Sequence, residues 1–169
     1  MTAILVLISG IASATDECSS TATKCDNTTL GRLEYMWGRN SSDNKSHVLL
    51  NGNDIFNNNS SQIGEDVEGW VLDKNNKTNK VVVYYRFNEP KQIAENLYRY
   101  RAYRLFDFSG EKVIISNEFY PPADYEAPLR WVSWGQKNSV IAFDDGSRFK
   151  YENGHVTMID DGSKTGESE

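Results

Sequence analysis

Short runs of β-branched and aromatic residues, separated by clusters of Asn, Gly, Ser and Pro, set the hydrophobic pattern of this chain. Runs of this length and composition predict β-strands. The strongest run is Val81–Phe87, which has turn-forming residues at both ends, and we expect it to be a central strand. Leu33–Trp37, His47–Leu50 and Gly69–Leu72 are shorter strand candidates.

The segment 91–108 combines two patterns. The spacing of apolar residues after a proline predicts a short helical turn at Lys91–Asn96. Tyr98–Ala102 instead alternates with a period of two, which is typical of a strand. A turn at Phe108–Glu111 then leads into an apolar triplet at 113–115, so we expect a hairpin after the helical turn.

Two Xaa-Gly pairs, Asp145-Gly146 and Asn153-Gly154, predict a three-stranded antiparallel meander near the C-terminus. Two-residue turns at both positions would fix the register, because they decide which side chains stand opposite one another. We expect the resulting apolar face to be buried in the core. The opposite face mixes apolar and charged residues, so we expect a further layer or a partner to cover part of it. The apolar face carries two rows, Val140, Tyr151 and Val156 in one and Ala142, Phe149 and Met158 in the other.

The composition favours the same fold class. The 169 residues include 4 Trp, 9 Tyr and 7 Phe but only 4 Pro. A chain of this length can form one domain with its own hydrophobic core. We therefore expect a mainly β fold at residues 31–159. It would be an antiparallel sheet or a sandwich- or barrel-like meander, with at most one short helix.

The two ends of the chain are predicted to lie outside this domain. Ala3–Ala12 is an apolar run that ends in small residues, so residues 1–14 are interpreted as a signal segment. The run is too short to span a membrane, and the alternative is that residues 3–9 form a first strand. A cleaved leader favours a periplasmic or secreted protein. Residues 160–169 are acidic and rich in Gly and Ser, which predicts a disordered tail.

Cys18 and Cys25 are the only cysteines, and they lie in a polar segment at residues 15–30 that we interpret as a tether. Two thiols in so flexible a segment can meet, so an oxidising compartment favours a disulfide between them. A zinc site would need two further ligands, and the spacing is too wide for a redox-active pair.

The chain carries no recognisable catalytic motif. Neither of its two histidines, His47 and His155, has a nucleophile or a metal ligand at a characteristic spacing. The tetrapeptides Asp144–Ser147 and Asp160–Ser163 lack the further acidic ligands of a calcium loop. We therefore expect a protein that is not an enzyme and that binds no cofactor or metal. A hydrolase with dispersed carboxylates is an alternative.

The net charge of −6 argues against a nucleic-acid partner, since phosphate binding requires a basic face. The Asn- and Ser-rich stretch between Thr21 and Asn79 contains N-glycosylation sequons, which we expect on loops, although such a composition also produces these triplets by chance. The sequons begin at Asn27, Asn40, Asn44, Asn58, Asn59 and Asn76.

Two segments have the composition of a protein-binding surface. Tyr and Arg interleave between residues 98 and 104, a mixture enriched at interfaces, and the alternative is a half-buried strand with Tyr inside and Arg outside. Phe119–Tyr125 is a proline-stiffened aromatic loop, and a rigid loop loses little entropy on binding. It leads into a Trp-containing segment that suits the core equally well. The predicted partner-binding residues are Tyr98, Tyr100, Arg101, Tyr103, Arg104, Tyr120, Tyr125, Arg130, Trp131 and Trp134.

Taken together, a leader, a short tether with two cysteines and a β domain without catalytic residues resemble the periplasmic immunity proteins that neutralise phospholipase effectors of type VI secretion. Ile11 stands where lipoprotein members carry their lipid-bearing Cys. The resemblance implies an exported inhibitor that binds a secreted effector enzyme by direct protein–protein contact. The alternative function is a structural or glycan-binding domain of the cell envelope.

Overall fold

The computed structural model describes residues 17–65, 70–71, 76–123 and 127–163. The predicted leader, Tyr125 and residues 164–169 of the predicted tail lie outside these ranges. The described chain forms thirteen strands and one 3₁₀ turn at Gly38–Asn40, which confirms the mainly β fold. The strands are β1 (Lys24–Thr28), β2 (Gly31–Met36), β3 (Ser46–Leu50), β4 (Asn53–Asn58), β5 (Ser60–Glu65), β6 (Trp70–Val71), β7 (Thr78–Ala94), β8 (Leu97–Asp107), β9 (Ile114–Ile115), β10 (Leu129–Ser133), β11 (Asn138–Phe143), β12 (Ser147–Glu152) and β13 (His155–Asp161).

Strands β1 to β9 form one sheet, called here the large sheet, with the order β4-β3-β2-β1-β7-β8-β9. Strands β5 and β6 also pair with β7. β1 meets β7 in parallel at Thr28 and Thr78, whereas the other strand pairs described here are antiparallel. The sheet curls into a half-barrel.

Strand β7 is the central strand that the sequence predicts. It pairs with β8 along one edge and with β5, β6 and β1 along the other. Its valines, Val81, Val82 and Val83, are fully buried, because both faces of the strand are covered. The other predicted strands, in β2, β3 and β6, are also confirmed.

Two predictions about the large sheet are wrong. Residues 91–96 do not form a helical turn, since β7 continues to Ala94 and pairs with β8, with Gln92 opposite Tyr98. The segment 15–30 is not a tether throughout, because it contains β1, whose five residues pair with β2. In both places a neighbouring strand satisfies the backbone hydrogen bonds, which local composition does not reveal.

Strands β10 to β13 form a second, four-stranded antiparallel sheet, called here the small sheet. Its last hairpin has the predicted register: Glu152 pairs with His155 and Tyr151 with Val156 across the turn at Asn153-Gly154. The meander is therefore confirmed, with β10 as an additional strand at its edge.

The register of the preceding hairpin is wrong by one residue. Its loop has three residues, 144–146, rather than two, and the N–H of Gly146 donates to the carbonyl oxygen of Phe143 at 3.1 Å. Gly146 has a positive φ of 84°, as expected at the end of a three-residue hairpin loop. Val140 and Ala142 therefore lie opposite Lys150 and Arg148.

This shift exchanges the two faces of β11. The buried face of β11 carries Ser139, Ile141 and Phe143, and Val140 does not lie on it. Ile141 stands opposite Phe149. Met158 lies opposite Phe149, as predicted, but its side chain is 48% exposed. β13 has a bulge directly after it, between Met158 and Asp160. β13 continues to Asp161, so the predicted tail does not begin at residue 160.

Two hydrophobic clusters hold the domain together. One lies on the inner face of the large sheet, around Tyr35 and Phe106. The other joins the two sheets and includes the packed rings of Tyr103, Phe119 and Phe143. None of the described segments is a helix long and apolar enough to cross a membrane.

Candidate interaction surface

The end of the β7–β8 hairpin projects from the large sheet as a two-stranded arm, defined here as residues 89–100. The pairing of β5 with β7 ends at Phe87, and within the described residues no third strand joins the hairpin beyond that point. The arm turns at Glu95-Asn96, where Asn96 has a positive φ of 57°. The arm is therefore open to solvent on both faces over most of its length.

Tyr98 and Tyr100 lie on one face of the arm and are 48% and 52% exposed. Their spacing of two residues places both side chains on the same side of β8. Arg99, between them, points to the opposite side and is only 1% exposed. The alternative in which Tyr lies inside and Arg outside is thus wrong at residues 98–100.

The Arg99 guanidinium connects the arm to the aromatic loop. Its Nη2 donates to the backbone carbonyl oxygens of Pro121, Pro122 and Ala123 at 3.2, 3.1 and 2.5 Å. Nη1 donates to the carbonyl oxygen of Tyr98 at 3.2 Å. Among the described residues no carboxylate forms an ion pair with Arg99, so its charge is offset by carbonyl dipoles.

The aromatic loop is itself partly buried. Phe119 is 4% exposed and stacks on Tyr103 with ring centroids 5.9 Å apart. Pro121 is buried, and Tyr120 is half-buried with its ring 5.9 Å from the Arg99 guanidinium. The described part of this loop therefore supports the arm more than it offers an aromatic surface of its own.

An ion pair holds the base of the arm. Lys91 contacts the carboxylate of Glu118 at 2.5 Å, and the same carboxylate accepts a hydrogen bond from the Tyr85 hydroxyl at 2.6 Å. Burial and the neighbouring Glu118 raise the pKa of Tyr85 well above its usual value, so this hydroxyl stays a donor. Arm, aromatic loop and large sheet are thus joined by polar contacts.

The predicted partner-binding residues divide by exposure and by sheet. Tyr103 is buried in the cluster that joins the sheets. Arg104 is half-buried and donates to the carbonyl oxygen of Ser116 at 2.6 Å, which is a structural role. Arg101 is half-buried, and its guanidinium lies 4.9 Å from the Tyr84 ring. Trp134 is half-buried against the core, whereas Arg130 and Trp131 are exposed on β10 of the small sheet.

His47 has two acidic partners that its sequence neighbourhood does not reveal. Its Nε2 lies 2.9 Å from a carboxylate oxygen of Asp43, and its Nδ1 lies 2.8 Å from one of Asp54. Burial lowers the pKa of His47, but the hydrogen bonds and charges of the two carboxylates outweigh it and raise the pKa above its usual value. The hydrogen bond from His47, together with bonds from Lys45 and Ser41, holds the pKa of Asp43 far below its usual range.

The remaining candidates from the sequence are the two cysteines, the second histidine and a possible metal site. Cys18 and Cys25 form a disulfide, with Cα atoms 5.7 Å apart. His155 is exposed on β13. Within the described residues no group of His, Cys, Asp and Glu side chains is arranged to hold a metal ion.

No family model matches the chain, and no curated protein or solved structure is significantly similar to it. Any function must therefore be argued from the described residues.

Proposed function

We propose that this protein binds an enzyme partner through the arm and inhibits it by direct contact. The supporting observation is the pair Tyr98 and Tyr100, two large aromatic side chains about half exposed on one face of a projecting hairpin. Tyr is enriched among residues that dominate binding energy, because it buries a large apolar area and still presents a hydroxyl group.

The arm is also suited to binding because its base is held before a partner arrives. Arg99 joins β8 to three carbonyl groups of the aromatic loop, and Lys91 pairs with Glu118. A segment that is already ordered loses less conformational entropy on association, so more of the contact energy appears as affinity. The proposed contact surface thus consists of the two tyrosines, with Arg99 and Lys91 as positioning residues.

Inhibition in the cell envelope is the setting that we propose for this contact. The disulfide between Cys18 and Cys25 is compatible with an oxidising compartment such as the periplasm. The mode of inhibition that we propose is occlusion of the enzyme's active site, since this requires only a protruding contact surface and no catalytic group.

The experiment titrates the product of a neighbouring gene, assayed for toxic or lytic activity, with the purified chain. We expect its activity to fall to the baseline at one equivalent of the chain. Full activity at excess chain, with no complex detected by size-exclusion chromatography, would overturn the proposal. Turnover of a substrate by the chain alone would favour the hydrolase alternative instead.

A further inference from the structure

A cleft of about 300 Å³ lies at the end of the large sheet from which the arm projects. The 3₁₀ turn after β2 and the first residues of β5 form its walls, and Asn88, which directly precedes the arm, also lines it. The cleft is therefore a neighbour of the proposed contact surface. Its described lining includes Trp37, Arg39, Asn44, Ser61, Gln62 and Asn88.

Arg39 is the one charged residue in this described lining, and its charge has no local counterpart. The side chain is exposed, and it makes no hydrogen bond or ion pair with any residue that the structure describes. Arg32, Arg130 and Arg148, by contrast, each have a carboxylate oxygen nearby, at 3.2, 3.9 and 2.7 Å, respectively. The N–H donors of the Arg39 guanidinium are therefore available to an acceptor on another molecule.

The Arg39 guanidinium is also held in position. It lies 4.5 Å from the centroid of the Trp37 ring, which is a cation–π contact. The ring is fixed in turn, because its indole N–H donates to the carbonyl oxygen of Ile63 at 2.9 Å. A side chain that is already held loses less entropy on association, and both Trp and Arg are enriched among the residues that dominate binding energy.

The acidic residues closest in sequence do not belong to this site. Asp43 and Glu89 are not among the described lining residues, and the Asp43 carboxylate is 2.9 Å from Nε2 of His47. The neighbouring strand instead adds a second positive charge, since the exposed Arg86 on β7 stands directly opposite Gln62 on β5. The described residues thus place positive charge around the cleft, although the chain as a whole carries a net charge of −6.

We propose that Arg39 binds an acidic side chain of the enzyme partner while the arm contacts the same partner. Arginine suits this role because two of its N–H groups can donate to both oxygens of one carboxylate. A nucleic acid suits the site less well, since the net charge of the chain repels a polyanion. The assignment rests on the proposed function and adds the chemistry of the partner, a surface that carries Asp or Glu opposite the base of the arm.

The first test needs no partner protein. It is a ¹⁵N NMR titration of the full chain with N-acetylglutamate amide as a carboxylate probe and with N-acetylglutamine amide as its neutral counterpart. We expect only the carboxylate probe to shift the Nε–H signal of Arg39 and the indole signal of Trp37. The Nε–H signal of Arg148, which is exposed on β12 but paired with Asp160, should not respond to either probe.

Three results of this titration would overturn the proposal. These are no shift at Arg39, equal shifts with the two probes, and an equal shift at Arg148. Tighter binding of oligothymidylate than of the carboxylate probe would also overturn it, since that would assign the site to the phosphates of a nucleic acid.

The second test measures the affinity of Arg39→Gln for the product of a neighbouring gene that the wild-type chain inhibits. We expect this variant to bind at least about tenfold more weakly and with a smaller dependence on salt concentration. Arg148→Gln, the same change at an exposed arginine of the small sheet, should bind like the wild type.

This second test also separates the site from the proposed function. Unchanged affinity of the folded Arg39→Gln, together with loss of binding by Tyr98→Ala/Tyr100→Ala, would overturn the role of Arg39 and leave the proposed function intact. Absence of any complex with the wild-type chain would contradict both.

Discussion

The Arg99 side chain shows how a single residue sets the geometry of the proposed contact surface. Its guanidinium is enclosed by protein, and the carbonyl groups of Pro121, Pro122 and Ala123 converge on Nη2. Carbonyl oxygens cannot be left unpaired in the interior without cost. The hydrogen bonds between Arg99 and the loop therefore hold both in position. They also fix the position of the two tyrosines next to Arg99 in β8.

Arg99→Met is expected to lower the free energy of unfolding by about 2–4 kcal/mol, because hydrogen bonds from a charged donor contribute about 1.5–3 kcal/mol each and the carbonyl groups lose that donor. Urea denaturation measures the change. Arg130→Met, at an exposed arginine of β10, is the control and should change stability by less than about 0.5 kcal/mol. Equal effects of the two substitutions would show that Arg99 does not anchor the loop.

We expect the stability of the protein to depend on pH through His47. Because Asp43 and Asp54 raise its pKa above the usual value of about 6.5, protonated His47 is favoured by folding. The stabilisation is fully present below the pKa of the unfolded chain and is lost as the pH rises through the higher pKa of the folded state. Stability should therefore decrease from mildly acidic to alkaline pH.

Thermal unfolding between about pH 5.5 and 9, on either side of the usual histidine pKa, tests this expectation. The midpoint of the wild type should fall across the range, and His47→Gln should flatten that part of the curve. His155→Gln, which also removes an imidazole but at an exposed position of β13, is the matched control. A slope that survives in His47→Gln would assign the pH dependence to another group.

Neither Arg99 nor His47 could be assigned its role from the sequence. The partners of Arg99 are backbone carbonyls more than twenty positions away, so no residue type marks them. Asp54 reaches His47 only because β3 and β4 form a hairpin. Alternation did place Tyr98 and Tyr100 on one face, but it left open whether that face is exposed or buried.

At the scale of single elements, turn chemistry decided which predictions succeeded. Asn153 and Gly154 both have positive φ, 51° and 82°, so the two-residue turn and its register followed from the residue types. At Asp145-Gly146 the side chain of Asp145 instead accepts from the N–H and hydroxyl of Ser147 at 2.9 and 2.6 Å, which supports a longer loop. An Asp-Gly pair alone does not distinguish these two loop lengths.

Gly154 has a positive φ, and it also lies close to the side chain of Ile114. A Cβ there would lie 2.8 Å from Cγ2 of Ile114, whereas at Gly52, with a φ of 78°, it would meet nothing within 4 Å. Gly154→Ala is therefore expected to cost about 1 kcal/mol more than Gly52→Ala, whose cost reflects backbone strain alone.

Chemical denaturation of both variants measures this difference. Repeating Gly154→Ala in an Ile114→Ala background should remove the excess, because the contacting methyl group is then absent. An excess that persists in this background would mean that Ile114 does not cause it.

The arm illustrates the limit of local patterns. The apolar residues after Pro90 fit a helical spacing and a strand equally well, because the segment is short. Pairing with β8 decides in favour of the strand. The strands β4 and β5 were missed for a related reason, since their Asn- and Ser-rich sequences resemble loops until β3 and β7 lie beside them.

At the scale of the whole molecule, a buried polar cluster joins the two sheets. Lys80 on β7 is fully buried and donates to the carbonyl oxygens of Gly135 and Gln136 at 2.9 and 2.7 Å. Asp107 on β8 lies 3.7 Å from the same ammonium group and accepts from the Tyr151 hydroxyl of the small sheet at 2.7 Å. The composition predicted a β domain, but this junction and the curl of the large sheet depend on long-range contacts.

The buried contacts between the two sheets hold the domain from which the arm projects, and the exposed tyrosines of the arm carry the proposed inhibition. The most direct test is the affinity of the double variant Tyr98→Ala/Tyr100→Ala for the product of a neighbouring gene that the wild-type chain inhibits, measured by calorimetry. Ile159→Ala, which truncates a side chain of β13 that is 53% exposed, is the matched control.

We predict that the control binds like the wild type. The double variant, folded to the same stability, should bind at least about thirtyfold more weakly, the loss expected when a contact of about 2 kcal/mol is removed. Equal affinity of the double variant and the control, or no binding by the wild type, would contradict the proposal that the arm is the contact surface.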